Sequence, residues 1–539
     1  GTGGLAWGTS TAADTFKLKG GTLAVGGAAG TDASYTWAQP ITLGASTTST
    51  ISGQNAAVGA TARELILTGA ITGTGNLNFS KTQAGGQVFV VNNLGTTAGV
   101  RNNILGTGNI AVTGVTLQPR APGSANVITH PNSIRLTGAT LISDDALQTY
   151  AGTITLDGAN TIQARWGDKP ATFTGALVDG TTPGSVTFTG GTIKLQGTMP
   201  YTGITTQDGG QLDITPSVVG STSTIASLRT RSDLLLGNNV LFNISSGTLL
   251  QRMTNGFWIK ASGTGAVGRL TSSSGTLNLS SVDANWVTTT GALTGADHQI
   301  QTPIVDFSGA VPLALTKSGV NNVLFTAANT HTGGTTINAG RIQANTAAAF
   351  GTGPVNVVAG GEAWLNTANG IYPNNFTISG TGPTEVLTAP VAGNTNYGAI
   401  RFSGNTISGN VTVGAGGARI TAVGANGTIT GTLAGSDPLE INSTDAAATT
   451  ATGTINLTGS AAAYTGTATV SRGALTIAGA FGGSVVKNSG TTLTLNGTHA
   501  GAHTHTTGIL QGTGTFTNGL TLNGATAADV LNIVSGPLK

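Results

Sequence analysis

One residue frame, repeated along the chain, constrains what this sequence can fold into. A Tyr or His opens it; glycine follows two positions later, threonine five, glycine nine, and Leu or Ile eleven. It starts at Tyr201 (Gly203, Thr206, Gly210, Leu212) and at His331 (Gly333, Thr336, Gly340, Ile342). It starts again at Tyr464 (Gly466, Thr469, Gly473, Leu475) and, more weakly, at His499 (Gly501, Thr504, Gly508, Leu510). Flanking units recur too. Leu105-Gly106-Thr107-Gly108 matches Phe350-Gly351-Thr352-Gly353, and Pro131-Asn132-Ser133 matches Pro373-Asn374-Asn375. Units this short cannot bury an apolar face alone, so copies must stack on neighbours to make one continuous core.

Within the units, apolar residues alternate with polar ones. Ile154-Thr155-Leu156, Leu277-Asn278-Leu279 and Leu493-Thr494-Leu495 carry the period of a half-buried strand. The most helix-like pieces, 344–350 and 224–236, are a few turns at most. Composition sharpens this pattern. Glycine supplies 85 of 539 residues and charged residues only 8%. That much glycine raises the possibility of disorder, but 38% apolar content at a net charge of +2 contradicts it. The expected fold is all-β: an elongated parallel β-solenoid of short strands with Gly- and Asn-rich turns, at roughly 20–25 residues per coil. A series of β-sandwich modules is the alternative. Glycine and Asn-Gly pairs (Asn255-Gly256, Asn369-Gly370, Asn426-Gly427, Asn496-Gly497) are expected to supply positive φ at corners. Residues 1–62 are expected to form an irregular β segment, and 63–539 the repeat-built solenoid, continuing beyond the given sequence.

The frame at 329–342, with Leu315-Thr316-Lys317-Ser318-Gly319 before it, resembles the autotransporter-associated β-strand repeat, also called the passenger-associated transport repeat. The resemblance is specific at 311–380 and 453–515 and extends to 186–214 and 63–138. His331 stands where that family usually has Tyr. The resemblance implies a bacterial secreted or surface-displayed passenger built as a parallel β-helix. Such proteins are usually completed by a C-terminal membrane barrel or another anchor. No run of ~10-residue amphipathic strands closes this sequence, so self-translocation is not expected of this segment.

Function classes narrow on chemistry. No apolar run approaches a membrane span, and no Lys/Arg cluster forms a nucleic-acid stripe; the densest spot, Arg229 with Arg231, is diluted by Asp233. The absence of cysteine excludes disulfides and thiol catalysis, and suits a prokaryotic surface protein. His499, His503 and His505 form the dense histidine group; on a strand His503 and His505 share a face, a spacing that can chelate zinc, but His499 fills the frame's aromatic position and the other two decorate a strand. His130 and His331 read as structural. Asp144-Asp145 is the adjacent carboxylate pair, with Asp168-Lys169 and Asp437 elsewhere. They read as solvated turn carboxylates, too thinly spread for a polysaccharide-cleaving pair. Thr-x-Thr triplets such as 153–155 and 492–494 are expected to lack the fixed coil spacing of a flat ice-binding face. Trp7, Trp37, Trp166, Trp258, Trp286 and Trp364 are scattered; an exposed pair would suit glycans, whereas isolated ones suit core or corner packing.

The expectation is therefore a non-catalytic, extracellular structural protein of a bacterial surface, with no cofactor, no metal and no catalytic residue. It would build a fibre, filament or matrix by head-to-tail self-association, to which low charge offers little repulsion. The alternatives are an adhesin stalk that binds glycans or surfaces, and a carbohydrate-active β-helix enzyme.

Overall fold

The computed structural model describes residues 15–25, 35–53, 63–82, 87–92, 100–102, 104–120, 126–215, 222–225, 227–230, 234–236, 241–244, 248–251, 258–261, 269–274, 276–281, 299–307, 312–319, 322–387, 393–443, 452–505, 507–523 and 530–532. Among them every regular element is a strand. The fold is an all-β parallel β-solenoid. The chain divides into two units: residues 1–245 with 261–268, and residues 246–260 with 269–539.

In the first unit the chain cycles through three parallel stacks. Val127–His130, Ile134–Thr137 and Thr140–Ser143 are followed by Leu147–Tyr150 and the two halves of Ile154–Ala164, each pairing with its counterpart one coil earlier. Farther upstream, Ile41–Leu43 pairs with Ile71–Gly73 and Thr48–Gly53 with Asn76–Lys81, in the same parallel sense.

In the second unit, Thr335–Ile337, Val355–Val357 and Phe376–Gly380 form one stack. Gly340–Ala344 and Gly361–Leu365 belong to another, and Thr454–Leu457, Ala474–Ile477 and Thr492–Leu495 belong to a third. Paired residues lie 17 positions apart at Thr467 and Ser484, 20 at Ile134 and Ile154, and 37 at Ala363 and Ile400. The last step is long because it contains an antiparallel hairpin, Glu385–Leu387 with Gly393–Thr395.

Register makes the core. Ile455, Leu475, Leu493 and Leu510 stand one above another on successive coils, each with 0% exposure. Burying each such side chain contributes about 1.5–3 kcal/mol. Two outward columns are uncharged over five coils each: Thr116, Thr140, Thr161, Thr187 and Thr206 in the first unit, and Thr406, Thr428, Asn456, Thr476 and Thr494 in the second. Spacing along the chain is irregular, yet spacing across coils is fixed, because the turns absorb the difference in length.

Two expectations change. Of 224–236, the described residues lie in the strands Thr222–Ile225, Ser227–Thr230 and Leu234–Leu236. Ala344 ends a strand paired with Gly361–Leu365, and 345–350 are turn. Pairing to a neighbouring coil outweighs weak helix propensity. The second is a partial change: 27 described glycines, Gly138 and Gly158 among them, have the expected positive φ. Asn369 does have φ 52°, but Gly175, Gly431 and Gly497 have no positive φ. At these corners a Cβ would overlap the carbonyl of the coil before: Gly152, Gly409 and Gly479 respectively. Their glycines are required by close approach rather than by backbone hand. Asn255-Gly256 lies outside the described residues.

Candidate functional site

The frame's opening residues are all buried. The Tyr201 hydroxyl lies 2.5 Å from Thr205 Oγ1, and His331 Nε2 lies 2.9 Å from Thr335 Oγ1. Tyr464 instead donates to the carbonyl of Asp437 at 3.0 Å. His499 Nε2 and His503 Nδ1 meet the carbonyls of Gly483 and Val485 at 2.8 and 2.9 Å, and His503 stacks on Phe516. Burial pushes His130, His331 and His503 down to about 4, against smaller raising effects from their hydrogen-bond partners. These are neutral packing residues. No group of three His, Asp or Glu able to hold a metal occurs among the described residues.

The flanking matches are also explained by contacts. Asn132 Nδ2 donates to the carbonyls of Gly106 and Gly108 at 3.0 and 2.7 Å. Asn374 Nδ2 does the same to Gly351 and Gly353, at 3.0 and 2.7 Å. Each amide caps the turn of the preceding coil.

Carboxylates that are thinly spread in sequence are gathered by the coils. Asp144 is 2% exposed, which corrects its reading as a solvated turn residue. Its Oδ2 accepts from Gln118 Nε2 at 2.6 Å and Arg165 Nη1 at 3.1 Å, and its Oδ1 from Trp166 Nε1 at 2.8 Å. Beside it, Arg120 Nε pairs with Asp145 at 2.8 Å, and Asp145 itself has φ 57°. Asp157 meets Arg135 at 2.6 Å. Burial alone would raise the Asp157 carboxyl; the N–H of Thr182, the Arg135 guanidinium and Thr181 hold it instead at about 2. Asp179 and Asp306 each accept from the backbone and hydroxyl of the residue after a frame opener, Thr202 and Thr332.

A second cluster lies in the other unit. Arg341 Nε and Glu362 Oε1 are 2.9 Å apart, both side chains at 0% exposure, and Arg419 pairs with Glu440 at 2.8 Å. Arg401 lies 3.9 Å from the ring centroids of both Trp364 and Tyr397. Burial lowers Arg341 to about 10, against the raising effect of Glu362. Both ion pairs join residues 21 apart, one coil in this region, a spacing that could have revealed them.

The tryptophans separate into classes. Trp364 is 4% exposed, and Trp37 is half-buried against Phe16 with its indole on the Gln39 carbonyl. Trp166 is 47% exposed, with Lys169 Nζ 5.8 Å from its ring centre. Trp7, Trp286 and the Trp258 side chain lie outside the described residues. Chemically, the described carboxylates of these clusters are occupied by cations and N–H donors, whereas the surface around Trp166 presents an aromatic face among exposed charged side chains.

No protein-family model matches the chain, and no solved structure matches it. Among curated proteins, it is 31% identical over 251 residues to the "Adhesin BmaC autotransporter" of Brucella suis biovar 1 (strain 1330). The match covers 42% of this chain and 7% of that protein, so the chain spans a small part of its relative's length. The chain is thus similar, at low identity, to part of an autotransporter adhesin.

Proposed function

We propose that this chain is a non-catalytic segment of a bacterial surface adhesin, a solenoid that holds ligand-binding side chains away from the cell. The observation carrying this reading is the contrast between its charges and its exposed aromatic. Asp144, Asp157, Glu362 and Glu440 are each paired with an arginine of a neighbouring coil, while Trp166 stands out of the surface. Such an arrangement suits binding better than general acid–base chemistry, which needs a carboxyl free to exchange protons. Similarity to part of an autotransporter adhesin agrees with it. The test is display of the chain on a non-adherent bacterium. Adhesion to host-cell or polysaccharide surfaces is expected; release of cut sugars from a polysaccharide panel would overturn the non-catalytic reading.

A second reading, a filament or layer built by self-association, is favoured by the uncharged outward column from Thr406 to Thr494, copies of which repel one another little. Filaments under electron microscopy are its expected outcome, and monodisperse single chains at high concentration would contradict it.

A further inference from the structure

The surroundings of Trp166 are built in a way that packing alone does not require. Its side chain is tied to the coil before, through Nε1 to Oδ1 of the buried Asp144 at 2.8 Å. Its backbone is tied to the coil after: a Cβ on Gly191 would overlap the Trp166 carbonyl, and Thr192 Oγ1 donates to the carbonyl of Gly167 at 3.0 Å. Arg165 N donates to Ser143 O at 3.0 Å, closing the start of the same loop. An indole that is 47% exposed is therefore fixed in position from both sides. Fixing an exposed ring lowers the entropy lost when a ligand lands on it.

The chemistry around the ring selects the ligand class. Arg120 and Arg165 have side chains 44% and 51% exposed, and Asp168 is exposed beside Lys169. Arg120, Arg165 and Lys169 stand against Asp144, Asp145, Asp168 and, acting on Arg120, Glu64, so the patch mixes both signs with little net charge and strongly favours neither polyanions nor cations. An indole face is negative at its centre and meets the positive C–H edges of a sugar ring, while flanking guanidinium and carboxylate groups bond its hydroxyls. Lys169 Nζ lies 5.8 Å from the ring centre, within reach of a ligand seated on the ring.

We propose that Trp166, held by Asp144 and flanked by Arg120, Arg165 and Asp168, is the platform of a binding site for uncharged, pyranose-containing glycans. The proposal rests on the adhesin reading and names its ligand class. The experiment is a glycan array of neutral and acidic sugars probed with the purified full chain, followed by titration calorimetry on the neutral glycans bound. Trp166→Ala is expected to weaken binding by about tenfold or more, and Trp166→Tyr by less. Asp144→Asn, which alters the tether and keeps the ring, is expected to weaken it several-fold with an unchanged circular dichroism spectrum. Should that variant misfold, Trp166→Ala against Trp166→Tyr decides alone. Wild-type binding to no glycan, binding to acidic glycans only, or equal binding by Trp166→Ala would each overturn the proposal. Display separates the two levels: adherent cells carrying Trp166→Ala overturn this site and leave the adhesin reading standing, whereas non-adherent wild-type cells overturn that reading.

Discussion

His331 Nε2 lies 2.9 Å from Thr335 Oγ1, and the Thr335 hydroxyl donates its proton to the Phe350 carbonyl at 2.9 Å. One hydroxyl has one proton, so Nε2 carries the hydrogen of the imidazole. Tyr201 makes the same contact with Thr205 in another copy of the frame. His331→Tyr is therefore expected to keep thermal stability within about 1 kcal/mol. Thr335→Val strands a buried carbonyl and a buried N–H, and should cost about 1–3 kcal/mol. Thermal unfolding followed by circular dichroism compares them; the opposite order would show that His331 has a role the frame does not describe.

The same tautomer fixes a pH dependence. In the folded chain His130, His331 and His503 are pushed by burial to about 4, against an unfolded value near 6.5. Below 6.5 the unfolded chain binds more protons, so stability is full above that pH and declines as pH falls toward 4. Each histidine contributes a loss of roughly 2–4 kcal/mol across this window. Asp157 acts in a lower window: held at about 2, its stabilisation persists above pH ~3.9 and is lost only as pH falls toward 2. Melting temperature should start to drop near pH 6.5; a flat profile down to pH 4.5 would contradict the assignment of these rings as buried and neutral.

Arg341 and Glu362 pair with both side chains at 0% exposure. Glu362→Gln leaves a buried guanidinium without its countercharge and is expected to destabilise by about 3–5 kcal/mol. Replacing both residues by Met should recover only part of that loss, because Glu362 also offsets the buried Arg401 guanidinium. Equal loss in the single and double variants would mean that shape at this site, rather than charge, holds the coils.

Glycines of two kinds should respond differently. Gly175 has no room for a Cβ against the Gly152 carbonyl, whereas Gly158 has φ 62° and open space. Asparagine tolerates that positive φ. Gly158→Asn should therefore cost less than about 1 kcal/mol, and Gly175→Asn about 1–3 kcal/mol or more. Denaturant unfolding of the two variants gives the comparison, and similar losses would refute close approach as the reason for Gly175.

Much of the fold is legible in the sequence because its units recur. The alternation at Leu493-Thr494-Leu495 marks a strand, and the match of 131–133 to 373–375 marks Asn132 and Asn374 as equivalent positions, whose role as caps only the contacts show. The clusters are less legible, since turns vary in length and partners do not fall at one period. Asp144 meets Gln118 and Arg165, which lie 26 and 21 residues away. Glycine is read in part: the expected positive φ is found at Gly138 and Gly158, but only the stacking of Gly152 under Gly175 shows that at other corners the need is steric. Nor does sequence distinguish exposed Trp166 from buried Trp364, because each has arginine neighbours, Arg165 beside Trp166 along the chain and Arg401 one coil from Trp364.

The central claim, that this solenoid is an adhesive surface rather than a catalyst, is tested most directly by adhesion under competition. Cells displaying the chain are counted on a glycan-bearing surface, with and without excess soluble neutral glycan. The prediction is adhesion well above that of cells without the chain, abolished by the soluble glycan. Adhesion no greater than that of control cells would contradict it.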